Sequence, residues 1–80
     1  MVQPYRSLAS AHAGETFAIR GFRSKEVARL CEQLGIHEGD AAHCRANTRA
    51  CLILRTPAGR VISLDQDWAR HVQIDEEATT

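Results

Sequence analysis

The apolar positions of the chain change period twice. Thr16-Phe17-Ala18-Ile19-Arg20 alternates, with Phe17 and Ile19 on one side, which is the period-two pattern of a half-buried strand. Gly21 is expected to break it and to leave Phe22 between strand and helix. Val27, Leu30, Cys31 and Leu34 then fall at i, i+3, i+4 and i+7 and make one apolar stripe. Ser24 stands before the stripe as an N-cap, and Glu26 suits the positive end of the helix dipole. Gly35 stands where a helix stops in the left-handed conformation, and Ile36 is expected to fold back onto the last turn. The spacing predicts one amphipathic helix over Ser24–Leu34.

After the turn signal Gly39-Asp40 the period returns to two. Ala41 to Ala46 puts Ala42 and Cys44 on one face and His43 and Arg45 on the other, a weak strand because alanine favours strands poorly. Asn47-Thr48-Arg49 reads as a turn. Cys51-Leu52-Ile53-Leu54 is apolar on both faces, so this strand is expected to be central or covered. Thr56-Pro57-Ala58-Gly59 suits a type I turn into a return strand over Arg60–Leu64. Asp65 is expected to cap one helical turn ending at Ala69. Val72-Gln73-Ile74 alternates as a closing strand. At the start, Ser7–Ala11 reads as a short helical turn or irregular arm, pinned by Leu8 and Ala11 and ended by Gly14. Residues 75–80 are polar and acidic and are expected to fray.

This order predicts a mainly β chain of about five short strands and one amphipathic helix. It forms a single domain over residues 1–80, with an ordered core at about 8–74. One helix is too few for a doubly wound fold. Closure into a small barrel would protect the edges that such short strands leave open.

Composition narrows the picture. Eighty residues bury a small core, and 5% aromatic content makes it aliphatic. Ten Lys and Arg cancel ten Asp and Glu, which argues against a nucleic-acid partner and against attachment to anionic lipid by charge alone. Three cysteines with no CxxC pair make no disulfide framework. No apolar run has the length of a signal peptide or approaches a membrane span. The chain is expected to be cytoplasmic, with reduced thiols and no membrane insertion.

Cys31, Cys44 and Cys51, with His37 and His43, raise the question of a metal site. Such a site needs three or four donors converging within about 2.0–2.3 Å of the ion. Cys31 lies on the helix stripe, and His43 and Cys44 are adjacent in a strand and point to opposite faces. No metal site and no cofactor are therefore expected. Cys–His catalysis needs an oriented base and an exposed, electropositive thiol, which this spacing does not supply, so no enzyme and no catalytic residue are expected. The chain has no GxxxxGK[ST] and is not expected to bind GTP itself. Tyr5, Phe17, Phe22 and Trp68 are too few aromatics for a proline-peptide groove. Trp68, between Asp67 and Arg70 in a polar turn, is expected to be partly exposed: a partner anchor or a lid over the open end of the barrel. Phe22, with Arg23 beside it, and Arg29 are the other candidate contact residues. Arg29 has the alternative of pairing with Glu26 or Glu32 along the helix.

Arg29-Leu30, then Leu34-Gly35-Ile36, then Gly39-Asp40, resembles the signature of the ferrous iron transport protein A family (FeoA). Leu8, Gly14, Ile19, Ile62, Leu64, Ala69, Val72 and Ile74 extend the resemblance over residues 8–74. The chain departs from that pattern in its short turn at Asn47 and in the alanines of the strand at Ala41. The resemblance implies a small SH3-like β-barrel and a non-enzymatic, accessory role in bacterial ferrous iron uptake. The implied partner is the membrane iron transporter with a cytosolic GTP-binding domain, which the chain would bind and modulate. The resemblance supplies no binding residues. An alternative is a small transition-metal-binding or iron-sensing domain, similar to the SH3-like domain at the C-terminal end of iron-dependent repressors.

Overall fold

Six strands form one antiparallel ladder, in the order β1-β6-β2-β3-β4-β5. The structure is a computed structural model and describes residues 5–75. The elements are β1 (Tyr5–Ser7), a 3-10 turn (Leu8–Ser10), β2 (Thr16–Phe22), α1 (Lys25–Gln33) and β3 (Ala41–Asn47). They continue with β4 (Cys51–Arg55), β5 (Val61–Asp65), α2 (Gln66–Ala69) and β6 (Val72–Asp75). Among the described residues β1 and β5 do not pair, so the ladder curls around its core without closing by hydrogen bonds.

The core follows the alternation of β2 and β6 and takes one face each of β3, β4 and β5. Phe17 and Ile19, Ala42 and Cys44, Leu52 and Leu54, Ile62 and Leu64, and Val72 and Ile74 all point inward and are buried. The helix stripe divides by depth: Val27 and Cys31 are buried, while Leu30 and Leu34 pack half-buried against the core. Leu8 and Ala11 are buried as well. Both sides of β4 are flanked, by β3 and β5, in line with its apolar sequence.

Helix α1 has the ends its sequence predicts. Ser24 Oγ accepts from the Val27 amide at 3.4 Å. At the other end Gly35 adopts φ +87°. The Ile36 amide donates to Cys31 O at 2.8 Å and the Gly35 amide to Glu32 O at 3.1 Å, the paired bonds of a Schellman stop. Ile36 is buried beneath it.

Four expectations change. The lead-in contains a strand: Tyr5–Ser7 pairs with Asp75–Gln73, which raises the count from about five strands to six. Arg6 holds it there, donating from Nε to Asp75 O at 2.9 Å and from Nη1 to Ser10 O at 3.3 Å, with an ion pair to Glu15. Gly21 does not end β2; the register shifts between Ile19 and Gly21, a bulge, and the strand runs on through Phe22. A Cβ at Gly21 would lie 3.2 Å from Gln73 Oε1, so the missing side chain makes room for a neighbouring strand. Asp65 occupies the N-cap position of α2, but its carboxylate makes no capping bond. Asp75 belongs to β6, where its carboxylate accepts from the Ala18 amide at 3.2 Å and pairs with Arg20. The rest of the expected acidic tail, 76–80, lies outside the described residues.

Candidate functional site: an arginine-lined cleft beside Phe22 and Trp68

The end of β2 and the start of β6 run side by side. Phe22 faces Val72 in the ladder, and the Arg23 amide donates to His71 O at 2.7 Å. The His71 amide in turn donates to Trp68 O at 3.0 Å. The segments carrying Phe22 and Trp68 are thereby brought together. Both side chains are half-buried and pack against the core. Trp68 is thus partly exposed, as its polar neighbours predict. Arg29 is exposed on α1. It forms no ion pair with Glu26 or Glu32, so the local pairing available to it in sequence is not made.

Beside these residues a cleft of about 190 Å³ opens between β1, Arg23 and the start of β6. Tyr5, Arg6, Arg23, Arg70 and Gln73 line it. Among the described residues, Tyr5 is one of two large hydrophobic residues left exposed. The three arginines are not equivalent. Arg6 is engaged by Glu15 and by backbone carbonyls. Arg70 pairs with Asp67 at 3.2 Å in an exposed (i, i+3) contact. Arg23 has no side-chain partner among the described residues and keeps its charge for an incoming group. A cleft edged by an aromatic ring, a free guanidinium and an amide suits contact with a polar or acidic protein surface. Sequence reading names Phe22, with Arg23 beside it, and Trp68 but misses Tyr5 and Arg70. The β1–β6 pairing assembles that wall, and the lead-in carries no strand pattern that would reveal it.

The thiols and imidazoles do not converge. Among the described residues no three His, Cys, Asp or Glu side chains form a metal-binding group. Cys31 and Cys44 are buried in the core. Burial pushes the Cys31 thiol up to about 11 and raises Cys44 in the same direction, the latter opposed by its contact with Ala46 O. Both are protonated packing groups at neutral pH. Cys51 is half-buried near the β3–β4 turn, where Thr48 Oγ1 lies 3.9 Å from its sulfur. His37 pairs with Asp40 at 3.4 Å, and His43 Nδ1 lies 3.0 Å from Thr16 Oγ1. No helix among the described residues is long and apolar enough to cross a membrane.

No family model matches the chain, and no curated protein matches it significantly by sequence. Solved structures do match. The crystal structure of an iron uptake regulatory protein, FeoA, superposes with a TM-score of 0.80 at 11% identity, over 89% of this chain and 94% of that one. A FeoA-like protein from Clostridium acetobutylicum gives 0.80 at 16% identity, over 99% and 98%. A manganese-dependent transcriptional repressor in complex with manganese gives 0.84 at 14% identity, over 96% of this chain but only 39% of the repressor. Identities this low establish the fold and nothing finer. With its six-stranded ladder and single long helix, the chain has the small SH3-like fold shared by FeoA proteins and one part of metal-dependent repressors.

Proposed function

We propose that the chain is a non-enzymatic, cytoplasmic accessory protein of bacterial ferrous iron uptake. It binds the cytosolic, GTP-binding part of the membrane iron transporter and modulates it. The observation that carries this reading is the superposition on FeoA proteins over nearly the full length of both chains. The FeoA-like residue pattern from Leu8 to Ile74 supports it: Leu34-Gly35-Ile36 forms the helix stop, and the Gly39 amide donates to Ile19 O at 2.7 Å. The contact surface in this reading is the arginine-lined cleft with Phe22 and Trp68 at its side, and Arg29 on the neighbouring helix. Modulation requires different affinities for the two nucleotide states of the transporter.

Co-purification with the intact transporter, solubilised from the same organism's membranes with and without a GTP analogue, tests this. The expected result is retention that changes with nucleotide and falls at least fivefold in Trp68→Ala and Arg23→Ala. Absence of retention in both states would sink the transporter reading. The second reading, a metal-sensing domain, draws on the likeness to the manganese-dependent repressor. It requires the melting temperature to rise on titration with ferrous or manganous ion.

A further inference from the structure

The charge of this chain is neutral in sum but not in place. From Ala41 to Leu64, nearly the whole of the β3–β4–β5 meander, the sequence contains Arg45, Arg49, Arg55 and Arg60 and no carboxylate; Asp65 is the last residue of β5. Asp40 and Asp65 bracket this stretch. The outer face of β3 and β4 gathers the charge. His43 and Arg55 are direct cross-strand partners, and the register shifts between Cys44 and Ala46, so Arg45 is the extra residue of a bulge. Bulges re-aim side chains, and here His43, Arg45 and Arg55 line one concavity of about 360 Å³. Its remaining wall is Gly14, whose φ of +91° demands glycine and whose missing side chain faces open space.

Three observations set this concavity apart from ordinary surface charge. Arg45 and Arg55, like Arg23, Arg29 and Arg49, have no carboxylate partner among the described residues, but these two share one concavity with His43. The carboxylate adjoining Gly14, that of Glu15, is turned away to Arg6 and to the His12 amide. Arg60 is accounted for elsewhere: its guanidinium reaches toward Gly35, at the negative end of the α1 dipole. Gathering cations on one strand pair without counter-charge costs stability, and an occupant that supplies the counter-charge removes that cost.

We infer that the His43–Arg45–Arg55 concavity is a docking site for an acidic, extended peptide segment of a protein partner, bound through its carboxylates. Two guanidinium groups match carboxylates bidentately. The concavity has no Phe, Tyr or Trp on which a nucleobase would stack, and the chain lacks the cation excess that a phosphate backbone requires. The inference does not depend on the transporter reading, because the surface is distinct from the cleft beside Phe22 and Trp68.

The test is fluorescence anisotropy of a labelled ten-residue polyglutamate peptide with the purified chain at low salt. Arg45→Ala/Arg55→Ala is expected to bind at least tenfold more weakly, while Lys25→Ala, an exposed cation on α1, stays within twofold. Neither variant should melt below the parent, since Arg45, Arg55 and Lys25 are exposed and removing Arg45 and Arg55 relieves repulsion. No binding, or an equal loss in both variants, overturns the site. Tighter binding of a ten-nucleotide oligothymidylate than of the peptide overturns the acidic-peptide assignment. Tenfold tighter peptide binding by a chain ending at Asp75 would assign the concavity to the chain's own Glu76-Glu77 and overturn a partner occupant.

Discussion

Cys31 titrates against the fold. Its thiol is fully buried, and burial raises its pKa from 9.0 to about 11. The unfolded chain therefore releases this proton at lower pH than the folded one. The stabilisation is complete below about pH 9 and is lost as the pH rises through about 11. Cys44 shifts in the same direction and adds to the effect. Melting temperature is expected to fall over that window. Cys31→Ala should melt lower at pH 7, from lost packing, but with a shallower decline above pH 9. An unchanged slope would remove Cys31 as a cause. Asn47 acts differently. Its Nδ2 donates to Ala9 O at 3.0 Å and Ala11 O at 2.7 Å, and its Oδ1 accepts from Gln66 Nε2. One amide ties β3 to the lead-in and to α2. Asn47→Ala is expected to cost about 1–3 kcal/mol in urea unfolding. Asn47→Asp should cost at least as much, because a carboxylate cannot donate to those carbonyls. A neutral Asn47→Asp would show that these bonds do not matter. In sequence Asn47 is a turn residue; the carbonyls it binds lie more than 35 positions upstream and Gln66 lies 19 downstream, so no local pattern reveals the role.

At the scale of elements, helix α1 and strand β1 make opposite cases. The helix is specified locally: a stripe, a cap and a stop all lie within Ser24–Ile36. Gly35→Ala places a Cβ at φ +87°, where the nearest atom of another segment is 3.9 Å away, so the cost is conformational and not a clash. About 1–2 kcal/mol is expected in thermal or urea unfolding, and Gly35→Asn should recover part of it. Strand β1 has no such local code. Its three residues exist as a strand because β6 offers an edge and Arg6 bonds to Asp75 O, Ser10 O and Glu15. Arg6→Ala is expected to cost roughly 2–3 kcal/mol, the range for charge-assisted bonds. It should also speed amide exchange in β6 relative to β4, because the loss uncovers that edge. Equal exchange in both strands would mean that Arg6 does not hold β1. Gly21 belongs at this scale too. Its lack of a side chain, read as a strand breaker, instead permits a bulge within one continuous strand.

For the whole molecule, net charge is a poor guide to electrostatics. Zero is the sum of a carboxylate-free stretch from Ala41 to Leu64 and of acids placed before and after it. The ion pairs of Arg20 and Arg70 are solvent-exposed. Such pairs are worth little and are screened by salt. Raising sodium chloride to about 0.5 M is expected to shift the melting temperature by less than about 3 °C, while polyglutamate binding weakens steeply. A large drop in melting temperature would show that surface charge contributes to folding. The two surfaces, one aromatic-edged and one basic, are lined by different residues.

The sequence by itself determined the strands from β2 to β6, the alternation of β2 and β6, the helix with both its ends, and the aliphatic core. Each of these follows from periodicity and from residues within a few positions of one another. It also singled out Phe22, Arg29 and Trp68, since an aromatic or an arginine amid polar neighbours stands out locally. Packing chose the inner face of β3, β4 and β5. Tertiary structure decided what depends on distant partners. These are the sixth strand, the bulge at Gly21, the place of Asp75 in β6, the wall of Tyr5, Arg23 and Arg70, and the convergence of His43, Arg45 and Arg55. The physical reason is the antiparallel ladder: it joins β1 to β6, from opposite ends of the chain, and sets side chains from neighbouring strands on a common face.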